Sequence, residues 1–323
     1  MIKLVYPKFW SKKGWLSCLC TPFSYIYRIL GMIRKLFVRP LGINSFVICV
    51  GNVSVGGTGK TQLVLWLSRQ LNKKKAKYLI VTKAYGSSLK GAKIVEKGDL
   101  ASRVGDESIL LSEVGPVLAS KTVKDALPII NQIKPDIVIF DDGFQNPSFI
   151  KDFSILVFDA VRAIGNGKIF PAGPLREYVK SALSRSDIVV SIGDEATEDS
   201  VLQRALDEGG KEVYEAKIKL TQDINLKQKY FAFTAIGNPD RFYNLLRQNG
   251  VQVQDVRSFP DHHNYSNAEI DDLKNCSKQL GYSLITTRKD YVKILDKETI
   301  MCADVALEFE DETKLFEKIY EKI

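Results

Sequence analysis

Two stretches decide the fold: Phe46-Val47-Ile48-Cys49-Val50, then Val55-Gly56-Gly57-Thr58-Gly59-Lys60-Thr61. The first is a short apolar strand. The second is a glycine-rich turn that runs into a helix over residues 60–71. A strand, a glycine turn and a helix start in this order make a P-loop. Its backbone N–H groups face nucleotide phosphates, and the helix dipole favours the anion. Gly56, Gly57 and Gly59 allow close approach around Thr58. Lys60 is expected to reach the β- and γ-phosphates of ATP, and the Thr61 hydroxyl to bind Mg²⁺.

Outward from the P-loop, apolar strands and amphipathic helices alternate. Strands are expected at 78–82, 137–140, 153–158 and 188–192, with a helix at 124–133. This β-α-β rhythm argues for an α/β fold with a mostly parallel sheet covered by helices. Ile137-Val138-Ile139-Phe140-Asp141-Asp142 is an apolar strand ending in carboxylates, a Walker B pattern suited to Mg²⁺. Asp141 is assigned to the metal, with Asp142 assisting it or binding a second ion. Residues 211–222 alternate as a half-exposed strand. A second α/β unit is expected beyond it, with strands at 230–235, 251–257, 282–286 and 305–310 and helices at 240–248, 267–280 and 313–323.

The N-terminal residues are of another kind. Thr21-Pro22 reads as an N-cap followed by proline at the first helical position, and Pro40 stops the helix. Phe23, Ile26, Leu30, Ile33 and Phe37 form an apolar stripe, which Leu16 and Leu19 continue backwards. Arg28, Lys35 and Arg39 fall on the opposite side. Arg28, Arg34 and Lys35 interrupt what would otherwise be a membrane span, and no signal-peptide cleavage pattern follows. An interfacial helix on an acidic membrane and a helix packed on the protein's own core both satisfy this pattern.

Composition narrows the partners. Hydrophobic residues are 45% and charged residues 26% of the 323, ordinary for a globular chain. The net charge of +8 favours anionic partners. The chain shows no nucleic-acid-binding motif, so no nucleic-acid partner is expected. Five scattered cysteines and two histidines argue against zinc and for a reducing compartment.

Later motifs become specific together. They are Val104-Gly105-Asp106-Glu107-Ser108, Asp141-Asp142-Gly143-Phe144-Gln145, Gly165-Asn166-Gly167 with Pro171-Ala172-Gly173-Pro174-Leu175-Arg176-Glu177, Ile236-Gly237-Asn238-Pro239, Phe259-Pro260-Asp261-His262-His263, and Thr286-Thr287-Arg288-Lys289-Asp290. In this order, behind the P-loop, they resemble the tetraacyldisaccharide 4′-kinase family over nearly the whole chain. The resemblance implies two α/β/α sandwich domains joined by a short β-ribbon: an N-terminal membrane region over 1–40, a P-loop kinase domain over 41–212, the ribbon over 213–228 and a smaller domain over 229–323.

It also implies ATP and Mg²⁺, and a tetraacylated disaccharide 1-phosphate as acceptor. The enzyme would be a monomer lying on the cytoplasmic face of the inner membrane. Asp106 would be the base, paired with His262. Arg176 would clamp a phosphate and Glu177 would bind Mg²⁺ or a sugar hydroxyl, unless the two form an internal ion pair. Asn146 would contact the acceptor. Asn238 and Asp290 would be nucleotide or hinge contacts, or structural.

The chain departs from the family pattern at Gln62 (usually proline), at Lys83-Ala84 (usually Arg-Gly), at Asn146 (usually histidine) and at Arg288 (usually glutamate). Ser54 stands where the strict P-loop pattern has glycine. The local GGTGKT also resembles deviant P-loops of partition and protein-insertion ATPases. Those carry a signature lysine where this chain has Val55, which counts against the alternative of a nucleotide-dependent switch acting on a protein partner.

Overall fold

The computed structural model describes residues 6–12, 14–193, 203, 206, 207 and 209–323. Residues 1–5 and 13 of the expected N-terminal region lie outside that description. The described strands are β1 (Phe46–Asn52), β2 (Tyr78–Thr82), β3 (Ala92–Ile94), β4 (Val117–Ser120), β5 (Ile137–Asp141), β6 (Phe153–Asp159), β7 (Ile188–Ile192), β8 (Val213–Leu220), β9 (Lys229–Thr234), β10 (Gln252–Ser258), β11 (Ser283–Thr287), β12 (Ile300–Ala303) and β13 (Val305–Phe309). Nine form one sheet, ordered β13-β8-β7-β6-β1-β5-β2-β4-β3, and four form another, ordered β10-β9-β11-β12. In the large sheet the edge pairs β3–β4 and β13–β8 are antiparallel. The pairs between β4 and β8 are parallel, as are those of the small sheet.

The central strands of the large sheet are covered on both faces, which is why β1, β2, β5 and β6 read as continuous apolar runs. Successive residues of β1 point to opposite sides. Ile48 and Val50 pack with Leu63, Leu67 and Leu71 of the helix Lys60–Lys73, whereas Val47 and Cys49 pack with Val123, Ala126 and Ile130 of the helix Val123–Ile133. The small sheet repeats the plan around β9. Tyr230 and Ala232 meet Phe242 and Leu246 of the helix Pro239–Gln248, while Phe231 and Phe233 meet Ile270 and Leu273 of the helix Asn267–Leu280.

The end of the chain differs from the expected division. The sequence pattern places residues 305–310 and 313–323 in the second unit. Instead β13 pairs with β8, and Leu315, Phe316 and Ile319 of the helix Glu312–Tyr320 join the core of the large sheet. Trp66 is the reason: its ring lies 4.7 Å from Phe309 and 6.5 Å from Phe316, and its Nε1 donates to Glu312 Oε1 at 2.8 Å. The expected ribbon is thus a strand of the large sheet, paired with the returning chain. The fourth strand of the small sheet is β12, which its short, half-exposed sequence did not announce.

The N-terminal helix runs Trp15–Phe37 with Pro22 inside it, so Thr21-Pro22 is not its start; Gly14 is the N-cap. This helix is long and apolar enough, by length and composition, to cross a membrane. The interrupting cations do not exclude that, because an 18-residue window holds two or fewer charged residues. Its buried positions are Ser17 and Ser24, not the apolar stripe. Phe23, Ile26, Leu30, Ile33 and Phe37 are all exposed, Phe37 to 83%. Arg28 lies over the Tyr178 ring at 4.9 Å, so it faces the folded domain. Lys35 is exposed.

Candidate active site

The site lies at the carboxyl ends of β1 and β5, where open α/β sheets place their ligands. Gly56 and Gly59 have φ of +113° and +91°, conformations in which an L side chain is strained. A Cβ at Gly57 would meet nothing within 4 Å, so that side of the loop is open to a phosphate. Ser54 is accommodated because it is not at a turn. It forms an antiparallel bridge with Leu175, the Val55 amide donates to Pro174 O at 2.8 Å, and the Arg176 amide donates to Val53 O at 2.6 Å.

The residues expected to hold the metal, Thr61 and Asp141, fit Mg²⁺. The Thr61 hydroxyl donates to Asp141 Oδ2 at 3.2 Å. The other Asp141 oxygen is buried without a partner, as is the Thr58 hydroxyl. Burial, then the nearby Glu107 charge, pushes the Asp141 carboxyl up to about 7. An anion so placed is one that a divalent cation would relieve. Among the described residues no cluster of three or more His, Cys, Asp or Glu could hold a metal. Mg²⁺ takes one or two carboxylates and completes its shell with phosphate and water, a need that Asp141 and Thr61 can meet beside a bound nucleotide.

Asp142 does something else. Lys60 lies 3.9 Å from its Oδ2, and Arg176 Nη1 donates to its Oδ1 at 2.9 Å. Burial acts upward on its carboxyl, but Lys60 and Arg176 outweigh it and hold the group well below the carboxylate range. Arg176 therefore pairs with Asp142 and not with Glu177. Glu177 bonds Arg185 and accepts from Gln145 Nε2 at 3.2 Å. The Asn146 Oδ1 accepts from the Ser148 amide at 3.1 Å and its hydroxyl at 2.7 Å, a turn contact.

The second domain supplies the rest. His262 Nδ1 lies 2.9 Å from Asp106 Oδ2 and 3.2 Å from Oδ1, although the residues are 156 apart in sequence. His262 has φ +58° and Asp142 φ +59°, two of six non-glycine residues with positive φ among those described. Such conformations gather at functional sites. Tyr85 lies against the His262 ring, with centroids 5.1 Å apart. Burial pushes Asp106 up, but Lys289 and the His262 hydrogen bond outweigh it and hold the carboxyl well below its ordinary range.

The domains also meet beside the P-loop. A Cβ on Gly237 would come within 3.5 Å of the Gly57 amide nitrogen. Arg162 Nη1 donates to Gly237 O at 3.4 Å. Arg241 pairs with the buried Asp159 at 3.1 Å and donates to Ile192 O at 3.1 Å. Sequence reasoning missed Arg162 and Arg241, which sit in no local pattern. It quoted Lys289 inside a motif without giving it a role.

Asp290 is fully buried and structural. It accepts from Thr234 Oγ1 at 2.6 Å, Ala235 N at 2.9 Å and Thr287 Oγ1 at 2.8 Å, and pairs with Lys293 at 2.7 Å. Asn238 takes the N-cap position of the helix Pro239–Gln248 without a side-chain cap bond.

The segment from Gly165 to Glu177 ties the N-terminal helix to the P-loop. Ser17 Oγ donates to Ala172 O at 2.8 Å and Ser24 Oγ to Ile169 O at 2.7 Å. Buried Asn166 donates to Phe9 O at 3.1 Å, Ser17 Oγ at 3.0 Å and Ala172 O at 2.9 Å.

The chain is similar to known proteins over nearly its whole length. The family model described as tetraacyldisaccharide-1-P 4′-kinase (LpxK) matches residues 16–323. The tetraacyldisaccharide 4′-kinase of Rickettsia bellii is 45% identical over 323 residues, covering 100% of both chains. That of Rickettsia felis is 44% identical over 326 residues, covering 100% of this chain and 98% of the other. The crystal structure of an "apo" form of LpxK from Aquifex aeolicus in complex with ATP matches with a TM-score of 0.74 at 27% identity, covering 95% of this chain and 99% of that one. The chain belongs to the tetraacyldisaccharide-1-P 4′-kinase family.

Proposed function

We propose that this chain transfers the γ-phosphate of ATP to the 4′-hydroxyl of a tetraacyldisaccharide 1-phosphate, a lipid A precursor, at the cytoplasmic face of the inner membrane. The observation that carries the reading is the meeting of Asp106 and His262 across the two domains, beside a P-loop whose partner carboxylate Asp141 has an oxygen without a bond. Gly56, Gly57, Thr58, Gly59 and Lys60 would hold the phosphates, and Thr61 with Asp141 the Mg²⁺. The metal, when bound, supplies charge neutralisation on the transferring group.

Asp106 accepts the hydroxyl proton, and its ionised form is the one that can. An ionised carboxylate is a weak base. It suits a loose phosphoryl transfer, in which the hydroxyl gives up its proton late. His262 orients the carboxylate. The contact at Gly237 brings the second domain against the Gly57 amide, where it would help to exclude water from the transferring phosphate. Arg176 and Lys60 hold Asp142 ionised, and Asp142 in turn fixes both cations at the phosphate end of the site.

The exposed apolar side of the helix Trp15–Phe37 lies in the membrane interface and gives the enzyme access to an acceptor that stays in the bilayer. The test is transfer of labelled phosphate from ATP to a tetraacyldisaccharide 1-phosphate in mixed micelles, with Lys60→Ala as control. Labelled lipid that disappears in the control supports the kinase. ATP turnover with no labelled lipid would sink it.

A further inference from the structure

We propose that Lys289 is a positioning residue for the transfer reaction, a cation that the second domain carries to the Asp106 carboxylate when the two domains meet. The inference rests on the reading of Asp106 as the proton acceptor. Lys289 Nζ lies 3.7 Å from Asp106 Oδ2 and 3.4 Å from Glu107 Oε1. It is largely enclosed, its side chain 21% exposed, and the Asp106 side chain is 7% exposed.

The setting explains why a cation is needed there. Asp106 and Glu107 are consecutive carboxylates at the start of the helix Asp106–Ser112. Asp261 adds a third carboxylate nearby, 3.8 Å from His262 Nε2. Facing them from the second domain are His262, Lys289 and, further off, Lys293. Lys289 is the cation that reaches both Asp106 and Glu107. Burial disfavours its charge, but Glu107 and Asp106 outweigh that and hold its proton more tightly than usual. Without it, adjacent carboxylates would repel one another in a partly dry site, and each would gain proton affinity.

Lys289 is also held in register with His262. Its neighbour Asp290 bonds the Ala235 amide at 2.9 Å, and the Ala235 carbonyl accepts from the His262 amide at 3.2 Å. On the other side, Arg288 Nε donates to Glu113 of the first domain at 2.9 Å. One buried anchor therefore delivers His262 and Lys289 to Asp106 as a unit. The acceptor carboxylate is complete only when the domains are together.

The test uses the full chain and compares Lys289→Met, Lys289→Arg, Asp106→Asn and the double variant Lys289→Met/Asp106→Asn. ATP binding and melting are measured on the same preparations. Lys289→Met is expected to lose ~10- to 100-fold in kcat, part of what a positioned acid–base group supplies, with KM for ATP changed by less than about 3-fold. Lys289→Arg should recover most of kcat, because the charge is kept. Added to Asp106→Asn, Lys289→Met should cost less than about 2-fold, since the two act through one carboxylate.

A loss of kcat in step with raised KM and lowered melting, unrelieved by arginine, would overturn the inference in favour of a structural pair. So would an equal loss in the Asp106→Asn background. Abolished Asp106→Asn activity beside an unimpaired Lys289→Met would overturn this inference alone. Near-normal Asp106→Asn activity would overturn the base reading and this inference with it.

Discussion

The P-loop and Asp141 sit at the ends of two adjacent strands of one sheet, β1 and β5, whereas Asp106, at the start of a helix, meets His262 and Lys289 from the second domain. The first half is fixed by the ladder that holds the strands, Val50 opposite Asp141. It stays assembled whether or not the domains touch. The second half depends on a few polar contacts, which resemble a transient interface more than a core. Nucleotide binding and transfer should therefore be separable by mutation.

The sharpest way to break that comparison is to set Lys60→Ala against Asp106→Asn. Lys60→Ala should lower transfer by ~1,000-fold or more and weaken ATP binding, because it removes a phosphate contact. Asp106→Asn should lower kcat by ~10²- to 10⁴-fold and leave ATP affinity within about 3-fold. Titration calorimetry with ATP, beside the labelled-lipid assay, reads both. Equal losses of affinity would mean that the two halves are one.

Arg241→Met attacks the contact between domains. Asp159 is 1% exposed and, among the described residues, would keep the Val161 and Arg162 amides as donors to its charge. A loss of ~1–3 kcal/mol in urea unfolding is expected, together with slower transfer. Unchanged stability would show that the domains are held elsewhere.

Ser24→Ala probes a third region. It removes the bond to Ile169 O and the acceptor for the Ala172 amide. It should cost ~1–2 kcal/mol locally and speed hydrogen exchange over residues 15–37, with ATP affinity unchanged. An altered ATP affinity would mean that the segment linking this helix to the P-loop transmits its position.

The smallest effect is expected at Glu269, which supports the loop carrying His262. The Ser266 amide and hydroxyl, then His263, lower its carboxyl to about 2. A depressed carboxyl contributes stability above its unfolded value of about 4.3 and loses it as pH falls through the folded value. Glu269→Gln should therefore unfold at lower urea than wild type at pH 7, with the gap closing between about pH 4.3 and about pH 2. A gap that is constant with pH would place the effect in packing.

Much of the first half was legible in the sequence. The glycine turn after an apolar strand, and the apolar run ending in Asp141, are local patterns with one physical meaning each. Asp106 and His262 were legible through the family's motifs alone, because nothing local to either residue names the other. Lys289 had a motif but no assigned role, and Arg241 had neither. Residues 305–310 read as a strand, but nothing in them named its sheet.

The sequence by itself determined the P-loop, the alternation of strands and helices, and an N-terminal helix with an apolar stripe, because each follows from short-range sterics and periodicity. The tertiary structure alone decided that this helix docks by Ser17 and Ser24 with its stripe outward. It also decided that the last strand and helix return to the first sheet, and that Asp106 receives its partners from the second. Those outcomes depend on which buried surfaces and polar groups find each other over long separations, and no local pattern encodes that choice.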